Sequence, residues 1–157
     1  MHVGITGHRG LSEQIERRVR EGLKTWLIPY ADDLVGVSCI ADGPDAWFAE
    51  TVLGLGGRLE VVIPATTYRA GLPQWHHPVY DELMRRASDV HTTGLTESDS
   101  QAHMAGSEIL VGLTDHLIAV GDGLPARGHG GTADVVTYAR HHNVPVTILW
   151  PPGATRD

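Results

Sequence analysis

Short apolar runs without polar alternation recur along the chain, separated by stretches of helical periodicity. The runs fall at Val3-Gly4-Ile5-Thr6 and at residues 34–40, 59–63, 90–92, 116–120 and 145–150. Strands that are apolar on both faces suit a parallel sheet covered on both sides. The first helical stretch starts at Ser12, a residue type that caps helix N-termini, with Glu13 and Glu16 in the first turn. Ile15, Val19, Leu23, Trp26 and Leu27 repeat on one face, and Pro29 closes the pattern. A second helix is predicted from Pro44, carrying Ala46, Ala49, Val52 and Leu53 and ended by Gly56-Gly57. Residues 66–77 lack periodicity and read as a loop. Further helices are predicted over 79–87, 100–113 and 132–142. Strands alternating with helices give a Rossmann-like α/β fold, a doubly wound and mainly parallel sheet of five or six strands with helices on both faces. Residues 1–152 read as one domain and 153–157 as a short tail.

Composition narrows the partners. A chain of 157 residues that is 41% hydrophobic can bury a core. Its net charge of -7, from 12 basic and 19 acidic residues, argues against a nucleic-acid footprint, which needs clustered Lys and Arg. The best basic cluster, Arg17, Arg18 and Arg20, is flanked by Glu16 and Glu21 and reads as a solvated helix face. No apolar run nears the ~18 residues of a membrane helix. The one cysteine, Cys39, lies in an apolar run and reads as a buried thiol, which fits a reducing cytoplasm. The ten histidines are scattered without metal-ligand spacing, so no metal and no cofactor are expected. Ser98, Ser100 and Ser107 lack the context of a nucleophile elbow.

In doubly wound sheets, ligands bind beyond the carboxyl ends of the strands, where the strand order reverses. Three loops at that edge carry the candidate chemistry. In Gly7-His8-Arg9-Gly10, Gly7 permits close backbone approach, His8 can hydrogen-bond and Arg9 can reach a phosphate. In Ala41-Asp42-Gly43-Pro44-Asp45, the two carboxylates suit ribose hydroxyls or an amino group; equally, Asp42 caps the following helix and Asp45 suits its dipole. The third loop, residues 121–131, holds five glycines and Asp122, and joins a strand to a helix starting at Thr132. Backbone amides of Gly128, Gly130, Gly131 and Thr132 at a helix start offer an anion site, with Gly123 and Asp122 beside it and Thr132 as a helix cap or phosphate contact. The loop lacks the Gly-Lys-Ser/Thr ending of a Walker A motif, and no Gly-x-Gly-x-x-Gly follows the first strand.

Together these segments resemble the SLOG superfamily, a Rossmann-like group that includes the LONELY GUY phosphoribohydrolases and the core of the DNA-processing protein A family. Gly4-Ile5-Thr6-Gly7-His8-Arg9 is similar to its opening strand and loop. Residues 41–45 through Gly56-Gly57, Val61-Val62-Ile63-Pro64 and Tyr68 are similar to its second and third units. Residues 115–120 followed by Gly130-Gly131-Thr132 are similar to its signature strand and phosphate loop. The resemblance implies phosphate binding. It also implies a catalytic glutamate three residues after Thr132 and an arginine in the preceding helix, positions that hold Val135 and Gly106. Asp134 and Glu108 stand nearby, but a one-residue shift turns a helical side chain by roughly 100°.

The expected function is binding of a nucleotide or nucleotide-derived ligand. An alternative is a hydrolase or transferase acting at the N-glycosidic bond of nucleoside monophosphates, with Asp45, Asp122 or Asp134 as the catalytic carboxylate. A second alternative is a DNA-processing type of nucleic-acid module. The resemblance implies a homodimer; Met104, Ile109, Leu110 and Leu113 suit either a core or a dimer surface.

Overall fold

The computed structural model describes residues 1–123 and 131–155. Among them, the chain runs β1 (His2–Gly7), α1 (Glu13–Leu27), β2 (Val35–Ser38), α2 (Pro44–Gly54), β3 (Arg58–Ile63), α3 (Tyr68–Gly71), α4 (His77–Arg86), β4 (Asp89–Thr92), α5 (Ser100–Gly112), β5 (His116–Val120), α6 (Thr132–His141) and β6 (Val146–Leu149). The strands form one sheet in the order β4-β3-β2-β1-β5-β6, and every neighbouring pair is parallel. The predicted doubly wound architecture is therefore present, with six strands rather than five and no antiparallel member.

The helices form because their apolar positions have two faces of the sheet to cover. On one side α1 and α2 pack with Val3, Ile5, Ile118 and Val120, and α4 lies beside α2. On the other, Leu110 of α5 and Val135 and Ala139 of α6 join Val37, Leu59 and Leu117. Ser12 caps α1 as expected, its hydroxyl accepting the Ile15 N–H at 3.3 Å. Ile15, Val19, Leu23 and Leu27 are buried beneath it, while Trp26 is half-buried at the margin. Pro29 does not end the helical backbone: the chain tightens into a 3-10 segment, Ile28–Asp33, because proline fits the first turn of such a helix. Leu110 is buried, and Ile109 and Leu113 pack against the same core, so α5 spends much of its apolar surface inside the domain.

Residues 66–77, predicted as loop, contain two single helical turns, α3 and the 3-10 segment Gln74–His76. One turn has no repeat, so periodicity could not reveal them. Among the described residues, no helix is long and apolar enough to cross a membrane.

Phe48 is fully buried under β2, and a Cβ added at Gly36 would lie 2.9 Å from its ring. Phe48→Ala is expected to cost about 3–5 kcal/mol, measured by urea unfolding.

Candidate functional site

The strand order reverses between β1 and β5. The chain leaves β1 toward β2, β3 and β4, then returns to place β5 on the other side of β1. The helices that follow these two strands, α1 and α6, pack on opposite faces of the sheet, which opens a crevice at the carboxyl edge. Gly7 pairs with Val120 in register, and the His8 amide donates to the Val120 carbonyl at 3.0 Å. A Cβ on Gly7 would meet Pro44 at 2.7 Å, so glycine is what lets the start of α2 close against the end of β1.

His8 and Asp122 face each other across the reversal, both nearly buried. The His8 Nε2 lies 3.2 Å from the Asp122 carboxylate and 3.3 Å from the Asp122 backbone amide. Donating to the carboxylate and accepting from the amide require opposite protonation of Nε2. Gly121 makes room for this pair, since a Cβ there would lie 3.0 Å from Nε2.

Arg9 and Asp42 form the second pair. The Nε and Nη2 atoms of Arg9 approach one Asp42 oxygen at 2.9 and 2.7 Å. Asp42 is buried, whereas Arg9 is 46% exposed and keeps a face toward solvent. The structure corrects the capping alternative for Asp42. Gly43, with φ 93°, is the N-cap of α2, and no side chain caps that helix. Thr132 is corrected in the same way: Gly131 occupies the N-cap of α6 and Thr132 is its first residue, with no side-chain cap. Gly128 and Gly130 lie outside the described residues.

Asp45 stands in the first turn of α2. Burial pushes its carboxyl up from 3.8 to about 7; the Ala41 backbone N–H and Arg9 oppose the shift, and Asp42 adds to it. The residue as a whole retains some exposure, while its carboxyl is buried. Three groups absent from the sequence prediction of the site share this neighbourhood. Tyr68 and Cys39 are buried and both feel the Asp45 charge; burial first, and that charge second or later, raise the phenol and the thiol. A thiol so held is not a nucleophile, which agrees with the reading of Cys39 as buried. His103 of α5 meets the Tyr68 ring edge-on at 5.7 Å and contacts Ser98 Oγ at 2.9 Å; burial, then Arg9, lower its pKa. No sequence signal pairs residues 68 and 103, since the sheet brings them together.

The loop between β2 and α2 is strained. Ile40 is fully buried with φ 49°, a region β-branched residues avoid. Its N–H donates to Ser38 Oγ at 2.9 Å, that hydroxyl donates to the Asp45 carbonyl at 3.0 Å, and buried His76 donates from Nε2 to the Ile40 carbonyl at 3.0 Å. The turn that aims Asp42 and Asp45 is thus held at both ends by buried side chains.

No protein-family model and no curated sequence matches the chain. Solved structures do. DNA processing protein A from Helicobacter pylori superposes with a TM-score of 0.72 at 18% identity, covering 100% of this chain and 68% of its own. The Streptococcus pneumoniae protein of that name gives 0.67 at 20%, covering 99% and 52%, so this chain spans about half its length. The molybdenum cofactor binding protein of Rippkaea orientalis gives 0.63 at 18%, covering 96% and 76%. The chain shares the Rossmann-like fold of these proteins. The position at which the sequence resemblance implies a catalytic glutamate holds Val135, buried in the core. The arginine position holds Gly106, where even a Cβ would lie 3.0 Å from Pro64. Glu108 is exposed on α5, and Asp134, in the first turn of α6, is half-buried.

Asp45 sets a pH test. In the folded chain it keeps its proton to about pH 7, and the unfolded chain releases it near 3.8. The folded state binds more protons between these values, so stability is lost as pH rises through that window. Asp45→Asn removes this component. Relative to wild type, the variant should gain roughly 3–4 kcal/mol between about pH 4 and about pH 8 in urea unfolding. A difference that stays constant with pH contradicts the assignment.

Proposed function

We propose that the protein binds a nucleotide or a nucleotide-derived phosphorylated ligand in the carboxyl-edge crevice at the β1/β5 reversal. The observation that carries the reading is the convergence there of Arg9, Asp42, Asp45, His8, Asp122 and the start of α6. The amides of Gly131 and Thr132 begin a ten-residue helix, whose dipole favours an anion at that end. The half-exposed Arg9 supplies positive charge, anchored by Asp42 rather than wandering in solvent. Asp45, protonated up to about pH 7, can donate a hydrogen bond to a sugar or base as well as accept one.

One observation favours a second reading, cleavage or transfer at an N-glycosidic bond. A carboxyl whose pKa lies near neutrality suits a general acid for a departing base. In that reading Asp45 is the acid, and Asp122 and Asp134 are the remaining carboxylates for stabilising positive charge on the sugar. The vacancy of both LONELY GUY positions weighs toward binding without turnover.

The Helicobacter pylori neighbour is described for its single-stranded DNA binding mode. For this chain a net charge of -7 opposes that role, and Arg20 of the basic cluster is engaged by Glu16 and Glu50.

The test is thermal shift and calorimetry with nucleoside monophosphates, preceded by mass spectrometry of co-purifying small molecules. A ligand at 100 times its dissociation constant adds ~2.7 kcal/mol. Arg9→Ala should weaken binding by roughly 10- to 100-fold, the worth of a charge-assisted hydrogen bond. Free base that accumulates with wild type and not with Asp45→Asn establishes the enzyme. Steeply salt-dependent binding of single-stranded DNA, with no nucleotide binding, overturns the proposal.

A further inference from the structure

Between α6 and the edge strand β6 runs a groove of about 370 Å³, within the range of small-molecule sites. It begins at the crevice, where His8, Gly121 and Thr132 line it, and ends at Arg140. Small side chains carve it. Ala119 on β5 and Ala133 on α6 leave a gap that Val136 and Ile148 floor with apolar surface. Ile148, on the edge strand, pairs in register with Ala119 and stays 46% exposed. A concave groove with an apolar floor and polar groups at its ends is the usual form of a small-molecule site.

The two ends of the groove differ from its floor. Arg140 lies eight residues along α6 from Thr132, about 12 Å at the rise of an α-helix. Among the described residues, Arg140 is exposed and its side chain makes no ion pair or hydrogen bond, unlike those of Arg9, Arg20, Arg69 and Arg85. A cation at the far end of an apolar slot, with the crevice at the other, is complementary to a molecule that is planar in the middle and rich in acceptors at its far edge. Arginine reads such an edge through two parallel N–H donors, as it reads the O6 and N7 of guanine.

We infer that this groove is the ring-binding subsite, taking a phosphomonoester joined to a planar heterocycle whose outer edge presents acceptors to Arg140. The inference rests on the phosphate reading above and adds the class of ring. Guanine and flavin present such an edge; adenine presents an amino group on the corresponding edge. The apolar faces of the ring lie over Val136 and Ile148, and Ala119 and Ala133 set the slot's width.

The probes are GMP, flavin mononucleotide, AMP and inorganic phosphate, each titrated by calorimetry into wild type, Arg140→Gln and Ala133→Met. Both substitutions suit a helix, and Arg140 is exposed, so the thermal midpoint without ligand reports intact folding. GMP or flavin mononucleotide should bind wild type more tightly than AMP. Arg140→Gln should erase that preference, a loss of roughly 10-fold or more. Ala133→Met should weaken every ring-bearing probe and leave inorganic phosphate unchanged. If GMP and flavin mononucleotide bind all three proteins alike, the ring lies elsewhere on the carboxyl edge; the inference falls while the phosphate reading stands. Loss in Ala133→Met without loss in Arg140→Gln also overturns it. If no probe binds, inorganic phosphate included, the phosphate reading itself is wrong.

Discussion

The pairing of β1 with β5 is the contact on which the rest of the site depends. These strands are separated by more than a hundred residues, yet their parallel hydrogen bonds bring Gly7 opposite Val120. Because helices after β1 and β5 depart to opposite faces, nothing in the sheet fills the space above their ends. His8, Arg9, Gly121 and Asp122 inherit that space. Two glycines keep it open in different ways. Gly7 admits Pro44 from one side, and Gly121 admits the His8 ring from the other.

The neighbouring turn after β2 shows what holding a site costs. Ile40 sits at positive φ, a strain of order 1–3 kcal/mol. Ser38 and His76 take up the N–H and the carbonyl of that residue, so the turn leaves neither group unsatisfied. The return is the placement of Asp42 and Asp45. One carboxylate is neutralised by Arg9, and the other is desolvated enough to keep its proton near neutrality. Two acids three residues apart thereby acquire different surroundings, one against a guanidinium and the other desolvated.

Two positions limit the chemistry this scaffold can carry here. Val135 faces the core and Gly106 packs against Pro64, so neither can be exchanged for a polar catalytic group without disturbing packing. Fold is a property of backbone and glycine placement. Activity is a property of a few side chains, and those diverge independently of the fold.

How much was legible in the sequence follows from the range of the forces involved. Strand runs, the Ser12 cap, Pro44 in the first turn of α2 and the two-faced parallel sheet are set by local pattern and were readable. That the loops Gly7–Gly10 and Ala41–Asp45 lie at the carboxyl edge was readable, because they follow strands of a parallel sheet. Their internal roles were not. Whether Asp42 caps a helix or pairs with Arg9 depends on the distance between two loops, and the Asp45 pKa depends on how much protein surrounds it. Tyr68 and His103 meet only because β3 and α5 pack together, and His76 reaches Ile40 only once a single helical turn has formed. By itself the sequence determined which segments become strands and helices, since those preferences act over a few residues. The tertiary structure alone decided which polar groups meet, which are buried and what charge they carry, since desolvation and ion pairing arise between residues that are distant along the chain.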